Sequence, residues 1–412
     1  MIEIGKRAKA AARAMAAAST GVKDEALAGI ARALKENADD ILDANTADLE
    51  RGEAGGVARA LLDRLMLTPE RIDSIAGAVR DVIALRDPVG EVIGGRKRPN
   101  GLDITEVRVP LGVVGIIYEA RPNVTVDAAA LCIKSGNACI LRGSRTAIES
   151  NTVLARLIRG ALADAGLPGD AVQLVEDTSR ESVGELMKMR GTVDVLIPRG
   201  GAELIRSVVE GSSVPVIETG VGNCHVYVDA AADVSKAIPI VINAKTHRPS
   251  VCNAAESLLV HRAIADDVMP KIIEELSARG VEIRGDEATR SYSDAVVPAT
   301  EEDYRTEFLD LTISAKIVGT LDEAIEHVNT HGTLHTEAIV TEDYSAAQRF
   351  AAEVDAACVM INASTRFADG GEFGLGAEIG ISTQKLHARG PFALEALTTS
   401  KYVVRGSGQV RE

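Results

Sequence analysis

Apolar positions change their period along the chain, and each change marks a different kind of element. Over the first 86 residues they recur every three to four positions, as on one face of a helix. Helices are predicted over residues 4–18, 23–36, 38–50 and 69–84, with Ser19 or Thr20 capping the second. Between 89 and 109 the period shortens to two on either side of Asn100-Gly101, a dipeptide that accepts the positive φ of a tight hairpin turn. Apolar runs at 113–118, 139–141, 172–175, 193–197 and 215–218 then alternate with helical stretches at 124–134, 147–165, 180–189 and 202–210. That alternation predicts an α/β fold with a doubly wound parallel sheet. After residue 226 it restarts, with runs at 226–228 and 257–260 and helices at 234–244 and 265–278, continuing to Asn362. A second α/β domain follows from this. The expected domains are 1–226, which carries an arm at 88–109, then 227–394, and then a tail at 395–412 whose short strand at 402–404 joins the arm. A two-stranded arm serves either to pair with another subunit or as a surface hairpin of its own chain, and the pattern leaves both open.

Composition narrows the function classes. With 412 residues, 46% hydrophobic and 25% charged, the chain is globular and long enough for two or three domains. A formal net charge of −15, with no basic run longer than Arg96-Lys97-Arg98, argues against a general nucleic-acid binder. At 3% aromatic content and no tryptophan there is little material for stacking bases. Anionic ligands have to be met by local arginines. Five cysteines with no Cys-x-x-Cys pair fit a reducing compartment, without a disulfide framework or a zinc motif. No run of about 18 apolar residues predicts a membrane span. The alanine-rich segment 1–18 carries Lys6, Lys9 and Arg13; a mitochondrial-type presequence is the alternative, opposed by Glu3 and the scarcity of serine. The expected location is the cytoplasm.

Ligands of doubly wound sheets sit beyond the carboxyl ends of the strands. The loops there are 119–123, 142–145, 198–201 and 219–223, all containing glycine, proline or arginine. Such loops suit a phosphate-bearing ligand met by N–H groups at helix starts. The glycine fingerprint of dinucleotide sheets is missing after the first run, and Gly374-Leu375-Gly376 with Gly380 follows no suitable strand. The decapeptide His247-Arg248-Pro249-Ser250-Val251-Cys252-Asn253-Ala254-Ala255-Glu256 supplies the candidate nucleophile, Cys252. A thiolate displaces an activated acyl group, and the resulting thioester accepts hydride where an oxygen ester resists it. Lys245 and Arg248 nearby are groups of the kind that lower a thiol's pKa. The plainer reading of a lone cysteine is core filling, which better explains Cys132, Cys139, Cys224 and Cys358.

Taken in order, these loops resemble the aldehyde dehydrogenase superfamily over nearly the whole chain. Pro110-Leu111-Gly112-Val113-Val114-Gly115 is similar to the opening of its first cofactor strand, and Arg121-Pro122-Asn123 to the Pro-Trp-Asn that helps form its oxyanion hole. Arg142-Gly143-Ser144-Arg145 stands where the adenosine ribose is held, and Arg199-Gly200-Gly201 at the pyrophosphate. Glu218-Thr219-Gly220-Val221-Gly222 resembles the Glu-Leu-Gly-Gly element, and Glu307-Phe308 the ribose contact. Within the superfamily, His327-Val328, His331-Gly332-Thr333, His335-Thr336-Glu337 and Tyr118 to Thr125 resemble the gamma-glutamyl phosphate reductase family, also called glutamate-5-semialdehyde dehydrogenase.

The resemblance implies an aldehyde dehydrogenase-like fold: a cofactor-binding domain, a catalytic domain with the nucleophilic cysteine, and a small oligomerisation arm. It implies reduction of L-glutamyl 5-phosphate by NADPH to glutamate 5-semialdehyde, the second step from glutamate to proline. Catalytic roles fall to Cys252, to Asn123 as oxyanion donor, and to Glu218. For Asn123 the alternative is a helix N-cap before Val124. Glu218 matches a residue that activates water in hydrolytic relatives, a reaction a reductase must avoid, so proton transfer, nicotinamide positioning and a structural role all stay open. Arg142, Ser144 and Arg145 would meet the 2′-phosphate of NADPH, Gly200 and Gly201 the pyrophosphate, and Glu307 a ribose. The competing reading pairs these arginines with glutamates such as Glu149. Arg121, Lys245, Arg248 and His331 form the expected substrate set. His327, His331 and His335 recur every four residues, but Asn329-Thr330 and Gly332 mark a helix end among them, so no metal is expected. A homo-oligomer is expected, and glutamate 5-kinase is the partner to look for. Another aldehyde or acyl-CoA oxidoreductase and a noncatalytic protein on the same fold are the rival readings.

Overall fold

The structure, a computed structural model, describes residues 1–411 and divides into two compact units. The first comprises residues 1–218, 374–380 and 392 onward; the second comprises 219–373 and 381–391.

In the first unit the helices α1 (Ile2–Ala17), α2 (Thr20–Glu36), α3 (Ala38–Ala54), α4 (Arg59–Leu65) and α5 (Pro69–Ala84) come before any strand. α5 begins as its sequence dictates: Thr68 accepts from Arg71 N, and Pro69 fills a first-turn position that needs no N–H donor. α4 was not predicted. It spans seven residues, too short to show a helical period. β1 (Val92–Lys97) and β2 (Asp103–Pro110) form the antiparallel hairpin, which turns through Gly101 at φ +88°. The four parallel strands β3 (Val113–Tyr118), β4 (Ala138–Arg142), β5 (Val172–Leu174) and β6 (Val195–Arg199) are joined through α6 (Pro122–Lys134), α7 (Ile148–Asp164) and α8 (Arg180–Met187), and α9 (Ala202–Gly211) follows. Their order is β5-β4-β3-β6. β3 is buried along its whole length, which is why it reads as an unbroken apolar run rather than an alternating one. The predicted strand at 215–218 is reduced to one parallel bridge, Leu196 with Val216. It lies beside β6 at the sheet edge.

The second unit restarts the alternation with β7 (Cys224–Val228), α10 (Val234–Thr246), β8 (Ala255–His261), α11 (Ala265–Ala278), β9 (Glu282–Gly285), α12 (Glu287–Arg290), β10 (Val297–Pro298), β11 (Thr312–Val318), α13 (Leu321–His331), β12 (Thr336–Val340), α14 (Tyr344–Glu353) and β13 (Cys358–Ile361). The seven parallel strands lie in the order β10-β9-β11-β8-β7-β12-β13. β7 pairs with β8 and β12, so residues from 219 belong to this unit and the expected boundary at 226/227 falls at 218/219 instead. Two short strands, β14 (Gly380–Ser382) and β15 (Gly390–Phe392), form a ribbon where the chain crosses between units. Residues 374–380 and 392–394, expected in the second domain, also belong to the first unit. The tail strand β16 (Thr398–Arg405) is longer than the predicted 402–404 and pairs antiparallel with all of β2. The arm is thus a three-stranded sheet, with Val92, Ile93, Tyr402 and Val404 exposed on it.

Candidate active site

In the first unit the chain steps from β3 through β4 to β5, then returns to the other side of β3 with β6. The crevice for an anionic ligand opens beyond the carboxyl ends at that reversal. Glu119, Arg121 to Asn123 and Arg199 to Gly201 all lie there. Gly201 is the N-cap of α9, and its N–H donates to Glu119 Oε2 at 2.9 Å. A carboxylate already sits on this helix start, as the positive end of a helix favours. A Cβ on Gly200 would stand 2.7 Å from Glu119 Cδ and 2.8 Å from Leu204 Cδ2, so a larger residue would have to push the ends of both side chains aside. A pyrophosphate would have to displace the Glu119 carboxylate to reach this helix start.

Arg142 does not belong to the cofactor set. It is buried and its guanidinium is taken up by carbonyls: Gly143 O at 3.0 Å, and Thr178 O and Ser179 O at 2.7 Å each. Its work is to tie the end of β4 to the start of α8. Arg145 is exposed beside Ser144, whose Oγ lies 2.5 Å from Thr146 Oγ1. Glu149, the suggested partner of Arg145, is held by Arg51 at 2.9 Å.

Asn123 is not a helix cap. The N-cap of α6 is Arg121, Pro122 follows it, and Asn123 sits inside the first turn. One amide hydrogen of Asn123 goes to Asp127 Oδ2 at 2.9 Å, one turn further on. The second hydrogen is then aimed by a fixed amide plane. Burial pushes the Asp127 carboxyl up to about 6, against the pull of Asn123 and Arg199. Glu218 is half-buried at the end of this unit.

In the second unit Cys252 occupies a turn before β8, at the amino-terminal edge of the sheet. Val251 O accepts from Ala254 N at 3.1 Å, leaving Cys252 and Asn253 at the centre of the turn. All five cysteines are thiols; four are buried, and Cys252 is half-buried. The turn is fastened from three sides. Cys224 Sγ donates to Cys252 O at 3.2 Å, and burial pushes the Cys224 thiol well up, so that it stays a donor. Asn253 Nδ2 donates to Ala368 O at 2.9 Å. Gly222 lies against the Cys252 main chain so closely that a Cβ would fall 1.5 Å from the Cys252 carbonyl oxygen. Gly222 N in turn donates to Glu307 Oε1 at 2.7 Å. Glu307, expected at a ribose, holds the segment that packs against the Cys252 turn.

Lys245 leaves the substrate set. It is fully buried and paired at 2.5 Å with Glu256, itself fully buried, whose other oxygen accepts from Leu309 N. Burial drives both toward neutrality, Glu256 up to about 7 and Lys245 down. Removing one partner of a buried pair strands the other. Lys245→Met is expected to cost about 3–5 kcal/mol, read from urea midpoints. A loss under about 1 kcal/mol would contradict the pairing.

The histidine motif is a clasp. α13 ends at His331, and His327 and His331 lie with ring centroids 4.3 Å apart and planes tilted by 42°, beside Tyr304. Burial lowers the pKa of both, that of His327 to about 2. His331 O and Tyr304 O accept from Asn223 Nδ2, and Thr333 Oγ1 accepts from Asn223 N. Glu337 Oε2 takes the His225 N–H at 2.7 Å and pairs with His225 Nδ1 at 2.9 Å. The motif thereby holds residues 223–225, which lead into β7. Among the described residues no group of three His, Cys, Asp or Glu could hold a metal ion.

Asp127 and Glu119 were missed, although Asp127 stands four residues after Asn123 on one helix face, a spacing that could have found it. Arg366, with Nε 3.3 Å from His247 Nδ1, was missed as well; no local signal links residues so far apart.

The aldehyde dehydrogenase family model matches residues 2–293. A gamma-glutamyl phosphate reductase of Thermobifida fusca is 59% identical over 99% of this chain and 98% of its own length, and one of Clostridium novyi is 57% identical over 100% and 99%. The crystal structure of the gamma-glutamyl phosphate reductase of Thermotoga maritima superposes with a TM-score of 0.98 at 51% identity, covering 100% of this chain and 99% of that one. The chain belongs to the aldehyde dehydrogenase family, and within it to the gamma-glutamyl phosphate reductases.

Proposed function

We propose that the chain reduces L-glutamyl 5-phosphate with NADPH to L-glutamate 5-semialdehyde and phosphate through a thioester on Cys252, the second step from glutamate to proline. The observation that carries this reading is a half-buried thiol on a turn pinned by Gly222, Cys224 and Asn253. The sulfur attacks the γ-acyl carbon, a C–S bond forms, and phosphate leaves with the electron pair of the broken C–O bond. Asn123, oriented by Asp127, donates its second amide hydrogen to the oxyanion, a contact worth roughly 10²-fold or more in rate. A reduced nicotinamide, when bound, would supply hydride to the thioester carbon; the C–S bond then breaks, the Cys252 sulfur leaves with its electron pair, and the aldehyde is released. Ser144 and Arg145 meet the 2′-phosphate of NADPH, the Gly200-Gly201 turn its pyrophosphate, and the remaining oxygen of Glu307 a ribose. The exposed Val92, Ile93, Tyr402 and Val404 support the arm as a contact between copies of the chain. No helix among the described residues is long and apolar enough to cross a membrane, and the cytoplasm is the proposed location.

The test is NADP⁺ reduction with glutamate 5-semialdehyde, expected to require phosphate. Turnover that requires coenzyme A instead would assign an acyl-CoA oxidoreductase. Arg145→Glu is expected to lower the preference for NADPH over NADH about tenfold or more, because a charge-assisted contact becomes a repulsion. An unchanged ratio in steady-state kinetics would remove Arg145 from the cofactor site.

A further inference from the structure

We infer that Arg366 binds the substrate, holding one of its oxyanions, the α-carboxylate or the phosphate, beside Cys252. The inference rests on the reaction proposed above and assigns a residue to it.

Arg366 lies in the short 3₁₀ turn Thr365–Phe367, which follows β13. That turn is fastened to the nucleophile's neighbour: Asn253 Nδ2 donates to Ala368 O at 2.9 Å and reaches Arg366 O at 3.5 Å. The Arg366 side chain is half-buried, and its Nε donates to His247 Nδ1 at 3.3 Å. His247 Nδ1 is thus the acceptor of this contact. Arg248, next in the chain, brings a second guanidinium. Burial lowers the Arg366 pKa first of all; Asp369 opposes this, the positive charge of Arg248 adds to it, and the Cys252 sulfur also acts on Arg366. The cation therefore lies within electrostatic reach of both Arg248 and the nucleophile.

A half-buried guanidinium within electrostatic reach of a second, exposed one is stabilised by an anion, and arginine's planar fork matches a carboxylate or phosphate. Beside it Asn253 Oδ1 and Thr365 Oγ1 are buried without a hydrogen-bond partner among the described residues. Lys245, the cation that sequence placed here, is consumed by Glu256, and Arg366 takes its role.

The experiment measures phosphate-dependent NADP⁺ reduction by the full chain, wild type against Arg366→Met and Arg366→Lys. KM is determined for glutamate 5-semialdehyde and for phosphate, and kcat/KM for n-butanal, which has no carboxylate. Arg366→Met is expected to raise one of the two KM values at least about tenfold, the loss of one charge-assisted contact, while kcat falls by less; Arg366→Lys recovers part of it. A higher semialdehyde KM, with lost discrimination against butanal, assigns the carboxylate. A higher phosphate KM assigns the leaving group. Both KM values within twofold of wild type overturn the inference, whether or not kcat falls, because a purely structural arginine gives that pattern. A wild-type chain without phosphate-dependent turnover overturns the proposed reaction and this inference together; wild-type turnover with unmoved KM values overturns this one alone.

Discussion

Cys252→Ala is expected to lower turnover roughly 10⁴-fold or more while NADPH still binds. Alanine leaves the turn its shape, since Cys252 O still accepts from Cys224 and Asn253 still reaches Ala368 O. What disappears is the atom that would carry the acyl group. The residues proposed for the 2′-phosphate and pyrophosphate, Ser144, Arg145, Gly200 and Gly201, belong to the first unit, so cofactor affinity is expected to change less than about threefold by fluorescence titration. Turnover retained within tenfold of wild type would remove Cys252 from the chemistry.

Gly222→Ala is expected to be nearly as damaging without touching a reacting group. The new Cβ would fall 1.5 Å from the Cys252 carbonyl oxygen, 2.4 Å from its carbonyl carbon and 2.9 Å from its Cα. These are main-chain atoms that no rotamer change can clear. Either the Cys252 turn or the 220–223 segment must shift by an ångström or more, and a displacement of about 1 Å costs on the order of 10²-fold in rate. The shift also strains the Gly222 N–H bond to Glu307. A stability loss of about 1–3 kcal/mol is expected beside it, as for overpacking elsewhere. A Gly222→Ala protein with wild-type kcat and urea midpoint would show that this approach does not position the nucleophile.

Sequence pattern reveals what is set locally. The apolar run at 113–118 announces a buried parallel strand because the residues of β3 are buried on both faces of the sheet. The run at 215–218 is shorter, begins on a proline that brings no N–H and ends on a glutamate, and it forms one bridge, with Leu196. The same divide runs through the site. Cys252 is proposed from its basic, proline-bearing turn, and Asn123 from its place after β3. The charges are legible as charges but not by their partners. Arg142 spends its guanidinium on Thr178 O and Ser179 O, 36 and 37 residues away in sequence. Lys245 meets Glu256, the last residue of the decapeptide that holds the nucleophile, and only the fold shows that both are buried. Arg366 reaches His247 across 119 residues, a proximity that no spacing rule reveals.

The measurement closest to the centre of the account is mass spectrometry of the chain mixed with L-glutamyl 5-phosphate in the absence of NADPH, quenched in acid and digested. The account predicts a glutamyl adduct on the peptide containing Cys252, sensitive to hydroxylamine as a thioester is and absent from Cys252→Ala. An unmodified Cys252 peptide, under conditions where added NADPH yields the semialdehyde, would contradict it.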